Sequence, residues 1–448
     1  MNDLTTGNVT KLILRFAIPL MLAEVLQQLY YTIDSLVAGN FMGHEALTAL
    51  AAMGSTLPVI MCTLAFAIGI SIASEILTSQ LVGAKMFDEL KRTITTTIIA
   101  FSVVSIIISV ASFFFCEPVL KLLNVPNDIM PQAKIYLQIM LAGLIFIAGY
   151  NETSAVFRGI GDSKTPLILV GIAVSLNLVL DLLFIIVFKT GIAGIAFATL
   201  ISQGFAFFVA LWILIYKQKL VPTSPSEWQF SFKILKKIGS LGLPIAAEML
   251  LSTGGILIVV SLINGFGLKV IAATSIVQSL DDYALMPILA IAGTISTFVG
   301  QNIAAGKMDR VRSATKIGLI ISIISSLIIS GIVIVFGNVL ASLFTRDLSV
   351  IHIACEYFII VGSFYAINGI VQSFTGAVQG AGQTVVPMVI SLVTLWIIRV
   401  PLAYFLSRKL GYEGIWWSQV ATWSLCAITL IIYYFTGKWK YSLAINNI

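Results

Sequence analysis

Polar side chains recur along one face of an otherwise apolar stretch near the start of the chain. Glu24, Gln27, Gln28, Tyr31, Asp34 and Ser35 fall at helical spacing within a run rich in leucine, isoleucine and alanine. Further along, "NLVLD" sets Asn177 and Asp181 four residues apart, on one face of a helix. An ionised carboxylate at the centre of a bilayer costs at least ~2.5–3.5 kcal/mol, so such residues are rare and functional by default. Two acids in one low-dielectric site cannot both ionise cheaply, so the pair can take a proton from one side and release it on the other. Alternatively, Asp34 and Asp181 with the oxygens of Asn177 and Thr199 can replace the hydration shell of a sodium ion, a hard cation that wants oxygen ligands. The bland alternative is a protonated aspartate that only hydrogen-bonds neighbouring helices. The residues alone do not choose among these.

The elements that position them are membrane helices. Of 448 residues, 58% are hydrophobic and only 10% charged, against about 25% charged in soluble domains. Apolar spans recur at 11–38, 47–74, 93–115, 131–157, 165–188, 191–216, 238–264, 270–299, 315–337, 352–377, 384–407 and 413–436. The expected fold is therefore all-α and polytopic, with twelve transmembrane helices. The first span is no signal peptide, being too long, bearing Glu24 and Asp34 and lacking a small-residue cleavage site. Twelve spans put both termini on one side, and loops on that side hold 18 Lys and Arg against 7 opposite. The positive-inside rule makes both termini cytoplasmic in a cell (inner or plasma) membrane. The net charge of +6 is thus a matter of topology and not of a nucleic-acid partner. Cys62, Cys116, Cys355 and Cys426 lack metal-ligand or redox spacing, and the two histidines fall near span ends.

The chain is doubled. "FAIPL" (16–20) matches "LGLPI" (241–245), and "SQLVGAKMFDELKR" (79–92) matches "GQNIAAGKMDRVR" (300–312). "RGIGDSKTP" (158–166) matches "QGAGQTVVP" (379–387), and "GIAGIAFA" (191–198) matches "GYEGIWWS" (411–418). Residues 1–216 form an N-terminal six-helix lobe carrying the ion site, 217–237 a polar cytoplasmic linker, and 238–448 a C-terminal six-helix lobe. Halves with an even number of spans enter the membrane alike, as parallel repeats about an axis along its normal. Two bundles meeting at a cleft suit alternating access, which points to a transporter. "GIGDSKTP" is not a phosphate loop, since no strand precedes it and no GK[ST] follows. Glycines end one span there and proline starts the next.

The halves differ where the acids are. Span 11 has apolar residues, Pro401 and Arg399 around the places matching Asn177 and Asp181. At 1.5 Å per residue, Asp34, Asp181 and Thr199 each lie about 9–12 Å inward from the outer ends of their spans. Three polar groups on three spans of one bundle therefore share a level. Glu152 follows Asn151 near the cytoplasmic end, within reach of Arg158. Tyr31, Gln27, Glu248, Gln278, Asp281, Asp282 and Asn368 are candidates for the wall of a substrate cavity, whose acids favour cationic compounds. Asp281 and Asp282 point about 100° apart on a helix, so at most one of them faces squarely into a cleft. Pro58 and Pro287 are candidate kinks in spans 2 and 8.

The doubled six-span plan, "RGIGDSKTP", "NLVLD" and "GIAGIAFAT" resemble the multidrug and toxic compound extrusion (MATE) family over essentially the whole chain, and most closely its DinF-like branch. The resemblance implies two pseudo-symmetric six-helix bundles in a V-shaped fold. It implies export of amphipathic, cationic organic compounds by antiport against protons or sodium ions. The matching coupling-ion residues are Asp34, Asn151, Asn177, Asp181 and Thr199, although Asn151 reads as lying nearer the inner face. The expected protein is a monomer that needs no cofactor or metal beyond the coupling ion, with the bilayer and small organic molecules as partners. The rival reading on the same plan is a lipid-linked oligosaccharide flippase, which needs a cationic cleft where this chain offers Arg399 alone. An enzyme needs a histidine cluster or nucleophile–base pair, and none is visible.

Overall fold

The computed structural model describes residues 2–445, apart from the side chains of Tyr31, Ser112, Phe113 and Pro225. Every regular element among them is helical. The first half contains α1 (Val9–Phe41), α2 (Ala46–Gly83), α3 (Phe87–Leu122), α4 (Met130–Ala142), α5 (Leu144–Gly159), α6 (Lys164–Leu182) and α7 (Ile192–Trp212). The second contains α8 (Phe232–Asn264), α9 (Leu268–Ala304), α10 (Met308–Ser342), α11 (Leu348–Ile360), α12 (Tyr365–Gly380), α13 (Val385–Val393), α14 (Val400–Leu410) and α15 (Tyr412–Thr436). Among the described residues ten stretches are long and apolar enough to cross a bilayer, and α4 with α5 makes an eleventh, bent by 46°. α1, at 33 residues, reaches ~50 Å at helical rise, longer than a bilayer is thick. Large apolar side chains such as Val335 (72% exposed) and Phe435 (78% exposed) stand on the outside, as they do when the solvent is lipid.

Two spans that hydropathy reads as single helices are broken. α4 and α5 part at Gly143, and α11 and α12 part at a short 3-10 turn, Gly362–Phe364. A break frees backbone carbonyls that no water can satisfy at membrane depth. Ser109 of α3 donates to Leu141 O at 2.8 Å, and Ser330 of α10 donates to Gly362 O at 2.6 Å. Both serines and both carbonyls are separated by 221 residues, so the repeat preserves the break together with its hydroxyl patch. Ser330→Ala is expected to cost about 1–3 kcal/mol by orphaning the buried carbonyl. Its thermal midpoint in detergent should fall below that of Ser342→Ala, which removes an exposed hydroxyl; equal midpoints contradict this.

α2 and α9 run unbroken through Pro58 and Pro287. The "RGIGDSKTP" turn behaves as punctuation. α5 ends at Gly159, and Asp162 Oδ1 accepts from the backbone N–H groups of Lys164 and Thr165 at 3.1 Å each as α6 begins. Gly161 holds φ +82, with Asn2 O only 2.4 Å from where a Cβ would stand. Asp347 caps α11, and the N–H of Ser349 at 2.8 Å holds its carboxyl below the usual carboxylate range.

Contacts divide the chain into two compact units. The first is built on Leu22–Ala246; the second takes Leu4–Met21 and the chain from Ala247 onward. This division differs from a cut at 217–237. α1 and α8 each pass from one unit to the other two residues beyond a proline, Pro19 or Pro244. A proline lacks the N–H that would bond the preceding turn, so both helices are locally weakened there. The linker is also shorter than the sequence suggests, because a π turn (Ile213–Lys217) closes α7 and α8 starts at Phe232. Its final residues dock on α3, where Thr95 Oγ1 donates to Gln229 O at 2.9 Å and Ser231 N donates to Thr96 Oγ1 at 3.1 Å. In the second unit Leu4 N donates to Gln301 Oε1 at 3.1 Å, and Arg310 Nη2 donates to Leu4 O at 2.9 Å.

Candidate coupling-ion site

In the first unit, three helices bring acids and oxygens together. α1 contributes Asp34 one turn beyond Tyr30, α6 contributes Asn177 and Asp181 near its end, and α7 contributes Thr199 and Ser202. A π turn, Leu183–Val187, begins two residues after Asp181, and such turns recur at functional sites. The chain then reverses at Gly191, whose φ of +62 suits glycine, and α7 returns alongside α6. Asn177 and Asp181 are wholly buried, and Asp34 and Thr199 are each 4% exposed.

Thr199 Oγ1 donates to Asp34 Oδ2 at 3.1 Å. Tyr30 OH donates to Thr199 O at 3.1 Å and also meets Ser202 Oγ, fixing α1 against α7. Asp181 and Asn177 stand within interaction range of the Asp34 carboxyl. Asp34 Oδ1, both Asp181 oxygens and both amide atoms of Asn177 are nevertheless buried without a well-formed hydrogen bond. Orphaned polar atoms at this depth are costly, and four of these five are oxygens facing one locus. That donor set fits a proton or a small hard cation.

Asn151 stands apart from this set. Its amide donates to Ile147 O of its own helix at 2.9 Å, and it makes no hydrogen bond to the other four. Tyr30 and Ser202 were absent from the sequence reading, although Tyr30 lies one turn before Asp34 and Ser202 one turn after Thr199, so helical spacing could have flagged both.

A second polar cluster lies elsewhere in the same unit. Arg158 Nε donates to Glu75 Oε2 at 2.7 Å, a pairing the sequence reading did not foresee. Glu152, only 1% exposed, instead accepts from Ser74 Oγ. Glu24 belongs here as well, near Arg158 and Glu75, and not with Asp34. Gln27 is half-buried on α1, and the Tyr31 side chain lies outside the described residues.

In the second unit, Gln278, Asp281 and Asp282 border one cavity of about 240 Å³, together with Tyr357, Arg399, Trp416 and Gln419. Both aspartates border it, where the 100° argument left room for one to face in squarely. Asp281 accepts from the hydroxyls of Tyr357 and Tyr365. Glu248, beside Ser391, and buried Asn368 are not among its walls. All four cysteines are free, and no group of three metal-ligating side chains occurs among the described residues.

The MatE family model matches residues 19–183 and 244–405. The probable multidrug resistance protein YpnP of Bacillus subtilis is 36% identical over 98% of this chain and 97% of its own length. YoeA of the same organism, also named a probable multidrug resistance protein, is 28% identical over 95% of this chain and 93% of its own. A solved structure described as an outward-facing multidrug resistance MATE family transporter superposes with a TM-score of 0.90 at 22% identity, covering 97% of each chain.

Proposed function

We infer, because this chain belongs to the MatE family and is a multi-pass membrane transporter rather than an enzyme, that it exports organic compounds in exchange for an inward-moving cation. Asp34, Asn177, Asp181 and Thr199 bind that cation, either a proton or sodium, in the manner of the DinF-like branch. The observation that carries this reading is the group of buried, unpartnered oxygens of Asp34, Asn177 and Asp181 converging in the first unit.

The mechanism follows from differential binding. A cation shifts a conformational equilibrium only as far as its affinities for the two states differ. Filling the site satisfies the orphaned oxygens and favours whichever arrangement of α1, α6 and α7 holds them closest. Thr199 and Tyr30 keep Asp34 aimed at the locus, so their part is positioning. Amphipathic, cationic compounds are the proposed cargo. The orientation is that of both termini in the cytoplasm of a cell with the chain in its inner or plasma membrane, and one copy suffices. The flippase reading is not favoured, because the acids outnumber the single unpaired mid-span arginine.

Efflux of a fluorescent organic cation from proteoliposomes, with pH and sodium gradients imposed separately, tests the reading. An inward gradient of one of the two ions is expected to drive the drug out of the vesicles against its own gradient. Transport indifferent to both ions removes the proposal.

A further inference from the structure

Arg399 in the second unit has no place in the coupling reaction. It closes a π turn, Thr394–Arg399, that precedes Pro401, and an inserted residue of this kind re-aims the side chains after it. The turn begins ten residues earlier in its repeat than the one after Asp181, so it is particular to this half. Arg399 Nη2 donates to the neutral Gln419 Oε1 at 2.7 Å, and its Nε is buried without a partner. It forms no ion pair among the described residues, although Asp281 and Asp282 border the same cavity. Trp416, 3% exposed, lines that cavity with its indole N–H unpartnered. A buried cation held by an amide alone, beside an idle N–H donor, is costly unless an anion completes it. Guanidinium and indole N–H donors suit a carboxylate. Tyr357 and Trp416, edge to face at 5.4 Å, supply aromatic walls.

We propose that this cavity binds small aromatic compounds with a carboxylate at one end and an ammonium at the other. Arg399 and Trp416 take the carboxylate, and Asp281 and Asp282 take the ammonium. Because the two protein charges are not paired with each other, a ligand whose own charges are held apart across a ring fits better than one with adjacent charges. This narrows the cargo class and rests on the exporter reading for transport, though not for binding.

The test is calorimetric titration of the purified full chain with 4-(aminomethyl)benzoate, benzoate and benzylamine. The zwitterion is expected to bind about tenfold more tightly than either single-charge probe. Arg399→Gln should erase its advantage over benzylamine while benzylamine binding persists. Trp416→Phe, which keeps the ring and the fold, should weaken the two carboxylates severalfold and leave benzylamine unchanged. Ser342→Ala, at an exposed hydroxyl that does not line the cavity, should leave all three affinities unchanged. Equal binding of the three probes overturns the proposal, as does unchanged zwitterion affinity in both Arg399→Gln and Trp416→Phe. Absence of binding in a chain that still exports cations overturns it while leaving the exporter reading intact.

Discussion

Asp34→Asn is expected to abolish drug resistance in cells while the chain reaches the membrane at its normal level. The substitution keeps shape and an acceptor oxygen, so the hydrogen bond from Thr199 Oγ1 survives and the packing of α1 against α7 is kept. What is lost is the charge. An amide takes up no proton, and its neutral oxygen holds sodium far more weakly than a carboxylate does, so the cation no longer distinguishes the two conformations and export loses its driving force. Coupling free energies of 1–3 kcal/mol correspond to about 5–150-fold, so uphill efflux should fall by more than about tenfold. Asp181→Asn should do the same, since both its oxygens are buried and unpartnered. Thr199→Ala, which removes a positioning hydroxyl, should reduce transport without abolishing it. Full resistance in Asp34→Asn contradicts the account.

Arg158→Met is expected to be the most damaging substitution for stability. The guanidinium contacts Glu75 at 2.7 Å, with side-chain exposures of 20% and 7%. Glu24 and buried Glu152 lie in the same cluster. Removing one partner from a buried ion pair costs about 3–5 kcal/mol, because the other charge is left uncompensated. Removing both partners together is close to neutral when the replacements pack well. The thermal midpoint in detergent should therefore drop steeply in Arg158→Met and recover substantially in the double variant with Glu75→Leu. Equal loss in the single and double variants would show that the pair does not hold this region.

Much of this was legible in the sequence. Apolar runs marked the chain as a bundle of membrane helices, because a helix satisfies its own backbone where no water can, and matched motifs about 221 residues apart showed the doubling. Helical rise alone placed Asp34, Asp181 and Thr199 at one depth, and the hydrogen bond from Thr199 to Asp34 joins two of them. Other features leave no local trace. A hydropathy window averages across the bends at Gly143 and Gly362–Phe364, whose compensating hydroxyls sit on neighbouring helices. A π turn has no residue signature. Arg158 and Glu75 are 83 positions apart, and nothing in their surroundings favours that pairing over the nearer Glu152. The unit boundaries were missed for a related reason: a helix that changes partners midway keeps one continuous apolar pattern.

The central claim is that a cation binds at Asp34 and Asp181 and nowhere else of consequence for coupling. Charge displacement on a solid-supported membrane, triggered by a sodium or proton jump without drug, tests it most directly. One ion is expected to give a transient current in the unaltered chain, and that current should vanish in Asp34→Asn and in Asp181→Asn. An undiminished current in the doubly substituted chain contradicts the claim.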